Sequence, residues 1–172
     1  GEELVGARTS RLRQIRGDTV AYVAQSAAAS FNPAHRLIHQ FSEAPVQHGK
    51  MRQEEAERRG VDLYGQLDLP EPDKIGRRFP HQVSGGQLQR AMTAMAMGCD
   101  PRLIIFDEPT TALDVTTQIE VLSTIKEAVR ARGVSAIYIT HDLAVVAQVA
   151  DRIMVLRHGD LVEEGDARTL LD

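Results

Sequence analysis

Tryptophan is absent from the 172 residues, and aromatic residues make up only 4% of the chain. Proteins that bind single-stranded nucleic acids stack bases on aromatic side chains, so this scarcity disfavours such a platform. The formal net charge of −4 also provides no broad basic surface for a phosphate backbone. We therefore expect no nucleic-acid partner.

The chain has a single cysteine, Cys99, which cannot form an internal disulfide and has no metal-ligand spacing around it. We expect Cys99 to be a small buried residue in a protein of a reducing compartment. No apolar run approaches the length of about 18 residues that a membrane span needs. Any role at a membrane therefore has to come through a partner.

The most informative stretch that is present runs from residue 84 to residue 108. It opens with Ser-Gly-Gly-Gln at 84–87, in which Ser84 is a good N-cap for a helix whose N-terminus favours an anion. It ends with an apolar strand, residues 103–106, followed by Asp107 and Glu108. An Asp in that position can hold Mg²⁺, and a neighbouring Glu can orient or deprotonate a water. Burying two adjacent acids is costly, so we expect a ligand to compensate for the lost solvation.

Strand and helix patterns alternate along the rest of the chain. Residues 34–68 have helical patterns that Pro45 and Gly49 should divide. Alternation of this kind predicts an α/β fold with a mainly parallel sheet, and ligands bind such sheets at the carboxyl ends of the strands. The strands are expected at 19–24, 103–108, 135–139, 152–156 and 161–165, and helices at 7–15, 51–67, 115–132 and 143–149.

Five segments in a fixed order resemble the motifs of one family, the ATP-binding subunits of ABC transporters. In the order of the chain they are Gln25 as the Q-loop glutamine, Val83-Ser84-Gly85-Gly86-Gln87 as the signature loop, residues 103–108 as Walker B with the catalytic Glu, Pro109-Thr110-Thr111-Ala112-Leu113-Asp114 as the D-loop segment, and Ile139-Thr140-His141-Asp142 as the switch-histidine segment. Several independent motifs in the family's order make a chance match a poor explanation.

The resemblance implies a mainly parallel sheet of the P-loop NTPase type, as in an ABC cassette, with an inserted helical subdomain. On that basis, residues 1–172 form a partial ABC ATPase domain. Residues 33–82 are expected to be the helical insert, and residues 83–172 the core from the signature helix through Walker B to the switch histidine.

The resemblance also implies the ligands ATP and Mg²⁺ and a role for each matched residue. Asp107 and Gln25 would hold the metal. The catalytic residues would be Glu108, which acts on water, His141, which stabilises the γ-phosphate, and Gln25, which can also contact the attacking water. Ser84, Gly85, Gly86 and Gln87 would contact ATP bound to the opposite subunit. Asp114 would link the two sites across the dimer.

The family's Gly-x-x-x-x-Gly-Lys-Ser/Thr loop, called Walker A, is absent from these residues. The family places this loop upstream of the Q-loop, so we expect the sequence to be the C-terminal part of a cassette that lacks its N-terminal Walker A portion. Because that loop binds most of the phosphate charge, we expect the chain alone to be inactive in ATP hydrolysis. We also expect an exposed apolar sheet edge.

The implied partners are a second ATP-binding subunit, transmembrane permease subunits and, indirectly, a periplasmic or extracellular solute-binding protein. The expected location is the cytoplasmic face of the cell membrane. The strings Ser30-Phe31-Asn32-Pro33 and Phe79-Pro80-His81-Gln82 are similar to those of peptide importers. Peptides are therefore the expected cargo, with nickel, opines and other small solutes left open.

Two other functions remain open from the sequence. A degenerate, non-catalytic cassette acting as a partner or regulatory module would explain the absent loop, although it has no chemical need for Asp107, Glu108 and His141. A DNA-repair or translation ATPase of the same family is disfavoured by the acidic balance and by a helical insert without a coiled coil.

Overall fold

A computed structural model describes residues 3–111 and 113–171. Ala112, which belongs to the expected D-loop segment, lies outside the described residues. Within those ranges the helices are α1 (Thr9–Ile15), α2 (Ala27–Ser30), α3 (Leu37–Gln47), α4 (Gln53–Gln66), α5 (Pro72–Ile75), α6 (Gly85–Met97), α7 (Val115–Ala131), α8 (Leu143–Val149) and α9 (Ala167–Leu171). The strands are β1 (Val20–Val23), β2 (Leu103–Asp107), β3 (Ser135–Ile139), β4 (Arg152–Arg157) and β5 (Asp160–Asp166), and a short 3-10 helix spans Pro80–Gln82.

The first three strands form a parallel sheet in the order β1-β2-β3. In this register Tyr22 lies opposite Ile105, and Ile105 lies opposite Ile137. The strands β4 and β5 form a separate antiparallel pair. Since parallel strands all point the same way, the residues that follow β1, β2 and β3 meet at one edge of the sheet.

One face of the parallel sheet is covered by helices and the other is largely open. On the covered face, Val23, Ile104 and Phe106 are fully buried in a core that includes α6 and α7. On the open face, Tyr22 is 57% exposed and Ile137 and Ile139 are each 49% exposed. The exposed apolar surface is therefore a face of the sheet, and not only the edge expected from the sequence.

The segment between β1 and α6 is helical, as expected, and packs on the same core as the sheet. Phe41 on α3 meets Tyr64 on α4 edge to face, with ring centroids 5.9 Å apart, and both are fully buried. These side chains belong to the cluster that also contains Ile104 and Phe106. The division of the chain at residues 33–82 and 83–172 stays a prediction.

The expectation that Pro45 breaks the helical segment is wrong. Pro45 lies inside α3, and the helix ends shortly after it, before Gly49, which has a φ of +65°. A proline here removes the hydrogen bond that its own nitrogen would donate and crowds the carbonyl four residues earlier. Its ring is buried close to Gly98, where an added Cβ would lie 3.3 Å from Cγ of Pro45. Tertiary packing therefore outweighs the local preference.

Two further expectations concern Cys99 and membranes. Cys99 is only 5% exposed, so the prediction of a small buried residue is confirmed. Burial is also the main reason that the pKa of its thiol is raised. In the two described ranges, no helix combines the length and the apolar character required to cross a bilayer.

Candidate functional site

The carboxyl ends of β1, β2 and β3 bring together the four side chains that the sequence placed there: Gln25, Asp107, Glu108 and His141. Gln25 donates a hydrogen bond from Nε2 to Oε2 of Glu108 at 2.9 Å. Nδ1 of His141 lies 2.9 Å from Oε1 of the same carboxylate. Residues more than 80 positions apart in sequence therefore converge on Glu108, because the parallel register aligns the strand ends.

Glu108 is ionised and carries a third partner. The hydroxyl of Thr111 donates to Oε2 at 3.1 Å. The hydrogen bond from His141, followed by that from Thr111, lowers the pKa of Glu108 below its usual value. An ionised carboxylate only accepts hydrogen bonds, so Nδ1 of His141 carries the proton.

The backbone at Glu108 is unusual. Its φ is +45°, in the left-handed region that residues with a Cβ seldom adopt. Its N–H donates to the carbonyl of Ile139 at 2.9 Å, so the turn is tied to the end of β3. Strain of this kind is retained where the surrounding structure demands a particular side-chain direction, as happens at functional sites.

Asp107 has a partner that sequence reasoning missed. The hydroxyl of Tyr22 donates to Oδ2 of Asp107 at 2.6 Å. This hydrogen bond is the main reason that the pKa of Tyr22 is raised, so the hydroxyl keeps its proton at neutral pH. The available signal was a tyrosine, which carries a hydroxyl, between two small apolar residues of a strand. The structure buries those neighbours, Ala21 and Val23, and leaves Tyr22 on the opposite face.

The two acids are partly rather than fully buried, and the expectation that a ligand compensates for their lost solvation stays a prediction. Asp107 is only half-buried, and the side chain of Glu108 is 26% exposed. Hydroxyl and amide donors from Tyr22, Gln25 and Thr111 form hydrogen bonds to the carboxylates. The two carboxylates of Asp107 and Glu108 nevertheless lie next to one another, and this pairing of like charges needs a chemical explanation.

Replacing His141 with Ala should raise the pKa of Glu108 towards its ordinary value, because the largest cause of the depression is removed. A depressed pKa means that ionised Glu108 stabilises the fold above its unfolded pKa, and that this contribution is lost as the pH falls through the folded pKa. As the pH falls through that range, His141→Ala should therefore lose less free energy of unfolding than the unmodified chain. A carbon NMR titration of the Glu108 carboxyl measures the pKa directly.

Thr111→Val serves as the control in that titration, since it removes only the second cause and should raise the pKa by less. A Glu108 pKa that is the same in His141→Ala and in the unmodified chain contradicts the arrangement of donors described above.

The donor set fits Mg²⁺ better than a transition metal. Across residues 3–111 and 113–171, no group of three or more His, Cys, Asp or Glu side chains is placed to hold a metal by itself. Mg²⁺ is commonly held by one or two protein oxygens together with waters and phosphates. Oδ1 of Asp107 and Oε1 of Gln25 have no hydrogen-bond partner in the described structure, and both are hard oxygen donors.

The turn at 84–87 forms the start of α6 as expected. Oγ of Ser84 accepts from the N–H of Gln87 at 3.3 Å, and Oε1 of Gln87 accepts from the N–H of Ser84 at 3.0 Å, which completes a capping box. The N–H groups of Gly85 and Gly86 belong to the first helical turn, where no intrahelical acceptor exists. They are the backbone donors that this turn leaves for an anion.

Gly86 and Asp114 also serve the packing of this chain. A Cβ on Gly86 would lie 2.7 Å from Cγ2 of Thr117, so only glycine allows α6 and α7 to approach this closely. Asp114 caps α7 by accepting from the N–H of Thr117 at 3.1 Å and from its hydroxyl at 2.7 Å. Both hydrogen bonds lower the pKa of Asp114, and the one from the backbone N–H of Thr117 has the larger effect.

The turn and the carboxylate cluster are separate within the chain. No hydrogen bond or ion pair in the described ranges joins any of residues 84–87 to Gln25, Asp107, Glu108 or His141.

Comparisons with known proteins agree with this geometry. A protein-family model described as ABC transporter matches residues 3–111. The chain is 40% identical over 165 residues to the probable D,D-dipeptide transport ATP-binding protein of Escherichia coli, covering 96% of this chain and 50% of that protein. It is 41% identical over 165 residues to the oligopeptide transport ATP-binding protein of Bacillus subtilis, covering 96% of this chain and 46% of that protein.

The chain thus spans about half the length of these curated relatives. Among solved structures, it superposes with a TM-score of 0.79 and 27% identity on a dimeric ATP-binding cassette in a post-hydrolysis state bound to ADP and Pi. That superposition covers 94% of this chain and 68% of the other. The fold class expected from the sequence is confirmed.

Proposed function

Because this chain belongs to the ABC transporter family, we propose that it is the ATP-binding subunit of an importer. It would couple binding and hydrolysis of ATP to uptake of peptides or similar small solutes across the cytoplasmic membrane. The observation that carries the proposal is the Glu108 carboxylate, which Gln25, Thr111 and His141 hold beside Asp107 at the carboxyl edge of the sheet. The curated relatives, which are dipeptide and oligopeptide transport ATP-binding proteins, support it.

Glu108 would orient the water that attacks the γ-phosphate. A carboxylate has about four acceptor positions, two on each oxygen. Gln25 and Thr111 occupy both positions on Oε2, while His141 occupies one on Oε1. The remaining position on Oε1 lies next to His141, so a water held there would be close to a donor that can stabilise the phosphate as charge develops.

Asp107 and Gln25 would hold Mg²⁺ through their free oxygens. When bound, the ion neutralises charge on the phosphates of the nucleotide. Gln25 has a second function in this arrangement, because its amide nitrogen contacts Glu108 while its oxygen faces away. One side chain would therefore contact both the metal, through Oε1, and the catalytic carboxylate, through Nε2.

The turn at 84–87 would bind ATP that is held mainly by a second cassette. Its free N–H groups and the dipole of α6 favour phosphate, and in the described residues no hydrogen bond or ion pair joins it to the carboxylate cluster of its own chain. A dimer in which each site takes its turn from the opposite subunit explains both features. Asp114, at the start of the helix that packs against Gly86, would connect the turn to the second site.

We further propose that the 172-residue chain by itself hydrolyses ATP at no useful rate, since it contains no Gly-x-x-x-x-Gly-Lys-Ser/Thr loop. The test is to join it to the upstream segment of a complete family member that carries this loop, a fusion called the completed cassette below. Phosphate release is then measured for the chain alone and for the completed cassette.

We expect background rates from the chain alone and Mg²⁺-dependent hydrolysis from the completed cassette. Replacing the Lys of the added loop with Ala provides the control, and it should abolish that activity. A completed cassette that folds and binds ATP without hydrolysing it would favour the alternative function, a degenerate non-catalytic cassette that acts as a partner module.

The partners proposed for this subunit are a second ATP-binding subunit and transmembrane permease subunits, with a solute-binding protein acting indirectly, and no nucleic acid. It would lie at the cytoplasmic face of the membrane, held there by the permease. Co-purification of a tagged chain with permease subunits from solubilised membranes tests this, and enrichment of nucleic acid in their place contradicts it.

A further inference from the structure

Tyr22, which has no role in the site described so far, is an exposed side chain whose hydroxyl is nevertheless hydrogen-bonded to Asp107. It is 57% exposed, yet its hydroxyl makes a 2.6 Å hydrogen bond to Oδ2 of Asp107. In the part of the chain that the structure describes, this is the only hydrogen bond or ion pair to the side chain of Asp107. The orientation of that carboxylate therefore depends on a single donor.

The strand register explains why Tyr22 can reach Asp107. Tyr22 lies opposite Ile105. Asp107 is two residues beyond Ile105, so its side chain emerges on the same face of the sheet. Such a diagonal neighbour is within reach of an aromatic side chain. A shorter polar residue at position 22 would not span the gap, and a Phe would span it without a donor.

The same strand thus holds both acids. Tyr22 holds Asp107, and Gln25, just beyond the end of β1, holds Glu108. The acids are partly exposed, so their side chains would otherwise turn freely in water. The contacts from β1 fix one oxygen of each and leave Oδ1 of Asp107 unoccupied.

We propose that Tyr22 is a positioning residue for Asp107: its hydroxyl fixes Oδ2 so that Oδ1 is directed at a divalent cation. This rests on the proposed function, which makes Asp107 the metal ligand. Ligating carboxylates are commonly held by hydrogen bonds from outer groups, and removing such a group typically weakens metal binding by about 10–100-fold.

A purely structural role for Tyr22, as a fastener between two strands, is the competing explanation. Residues 20–23 already pair with residues 103–106 through backbone hydrogen bonds. One more hydrogen bond at an exposed position adds little to a paired ladder. Unfolding experiments alone therefore do not separate the two roles, and the test needs a metal-binding readout.

The test compares Tyr22→Phe with Tyr138→Phe in the completed cassette, whose added loop supplies a Ser/Thr hydroxyl as a further metal ligand and whose added segment is made free of Tyr and Trp. Both substitutions remove one tyrosine hydroxyl. The hydroxyl of Tyr138, on β3, is buried with no hydrogen-bond partner in the described structure, so its loss should leave the site unchanged. Binding of Mn²⁺ is followed by the loss of the EPR signal of the free ion. We expect the dissociation constant to rise by about tenfold or more in Tyr22→Phe and to stay constant in Tyr138→Phe.

Tyrosine fluorescence gives a second readout, since the chain has three tyrosines and no tryptophan. Tyr64 is buried and Tyr138 is partly buried, and the hydroxyl oxygens of both are buried with no partner in the described ranges. A change in emission on adding Mg²⁺ should therefore come from Tyr22, and it should vanish in Tyr22→Phe and persist in Tyr138→Phe.

Asp107→Asn separates the failure of this inference from that of the proposed function. If Asp107→Asn weakens Mn²⁺ binding and Tyr22→Phe does not, Tyr22 is only structural and the inference is overturned alone. If the unmodified completed cassette and its Asp107→Asn variant bind Mn²⁺ equally well, the assignment of Asp107 fails and this inference fails with it.

Discussion

Replacing Glu108 with Gln should lower the rate of ATP hydrolysis by the completed cassette about 10²–10⁴-fold, the usual contribution of a positioned acid–base group. The amide keeps the shape of the carboxylate but loses its charge and one acceptor oxygen. The water position next to His141 is then no longer defined. Binding of Mg²⁺ and ATP should persist, because Asp107 and the added loop are unchanged. Phosphate release and equilibrium dialysis with ATP measure the two quantities.

Glu120→Gln is the matched control, because Glu120 is an exposed acid on α7. It should hydrolyse ATP at the rate of the unmodified cassette. Hydrolysis by Glu108→Gln at that same rate would remove Glu108 from the mechanism and leave the hydrogen bonds around it without a catalytic purpose.

Gly85→Asp should also abolish hydrolysis by the completed cassette, for a different reason. Gly85 is exposed at the first position of α6, and an acid in the first turn of a helix is favourable for folding. An added Cβ would meet only the flexible end of Leu113, at 3.2 Å. The variant should therefore fold, while its negative charge repels the phosphates that the turn would bind.

The two variants should restore activity to one another when mixed. A dimer of one Gly85→Asp chain and one Glu108→Gln chain has one site with both defects and one with neither. With random pairing of equal amounts, half of the dimers are mixed, so about a quarter of all sites are intact. Phosphate release near a quarter of the unmodified rate supports shared sites, whereas no recovery means that each chain uses its own turn.

Much of this arrangement could be predicted because each part is encoded locally. The strand Ser135–Ile139 and the helix Leu143–Val149 lie where their patterns predict, and Ser84 caps α6 as expected. Gln25, Glu108 and His141 meet because each follows the carboxyl end of a strand in the same parallel sheet. The edge at which they meet follows from strand direction alone.

What could not be predicted depends on register and tertiary packing. The bond between Tyr22 and Asp107 requires that Tyr22 lie opposite Ile105, and no local pattern sets that register. Pro45 was assigned as a helix breaker because its burial beside Gly98 is not visible in sequence. The cap at Asp114 was missed although an Asp directly before a run with helical periodicity is a recognisable start signal.

The open face of the parallel sheet has a calorimetric consequence. The heat-capacity increase on unfolding comes from apolar surface newly exposed to water, and is normally about 12–15 cal/mol/K per residue. Tyr22, Ile137 and Ile139 are already half in water in the native state, so they contribute less than buried residues would. The chain should therefore have a smaller heat-capacity increment per residue and a flatter dependence of stability on temperature, and covering that face should restore the usual curvature.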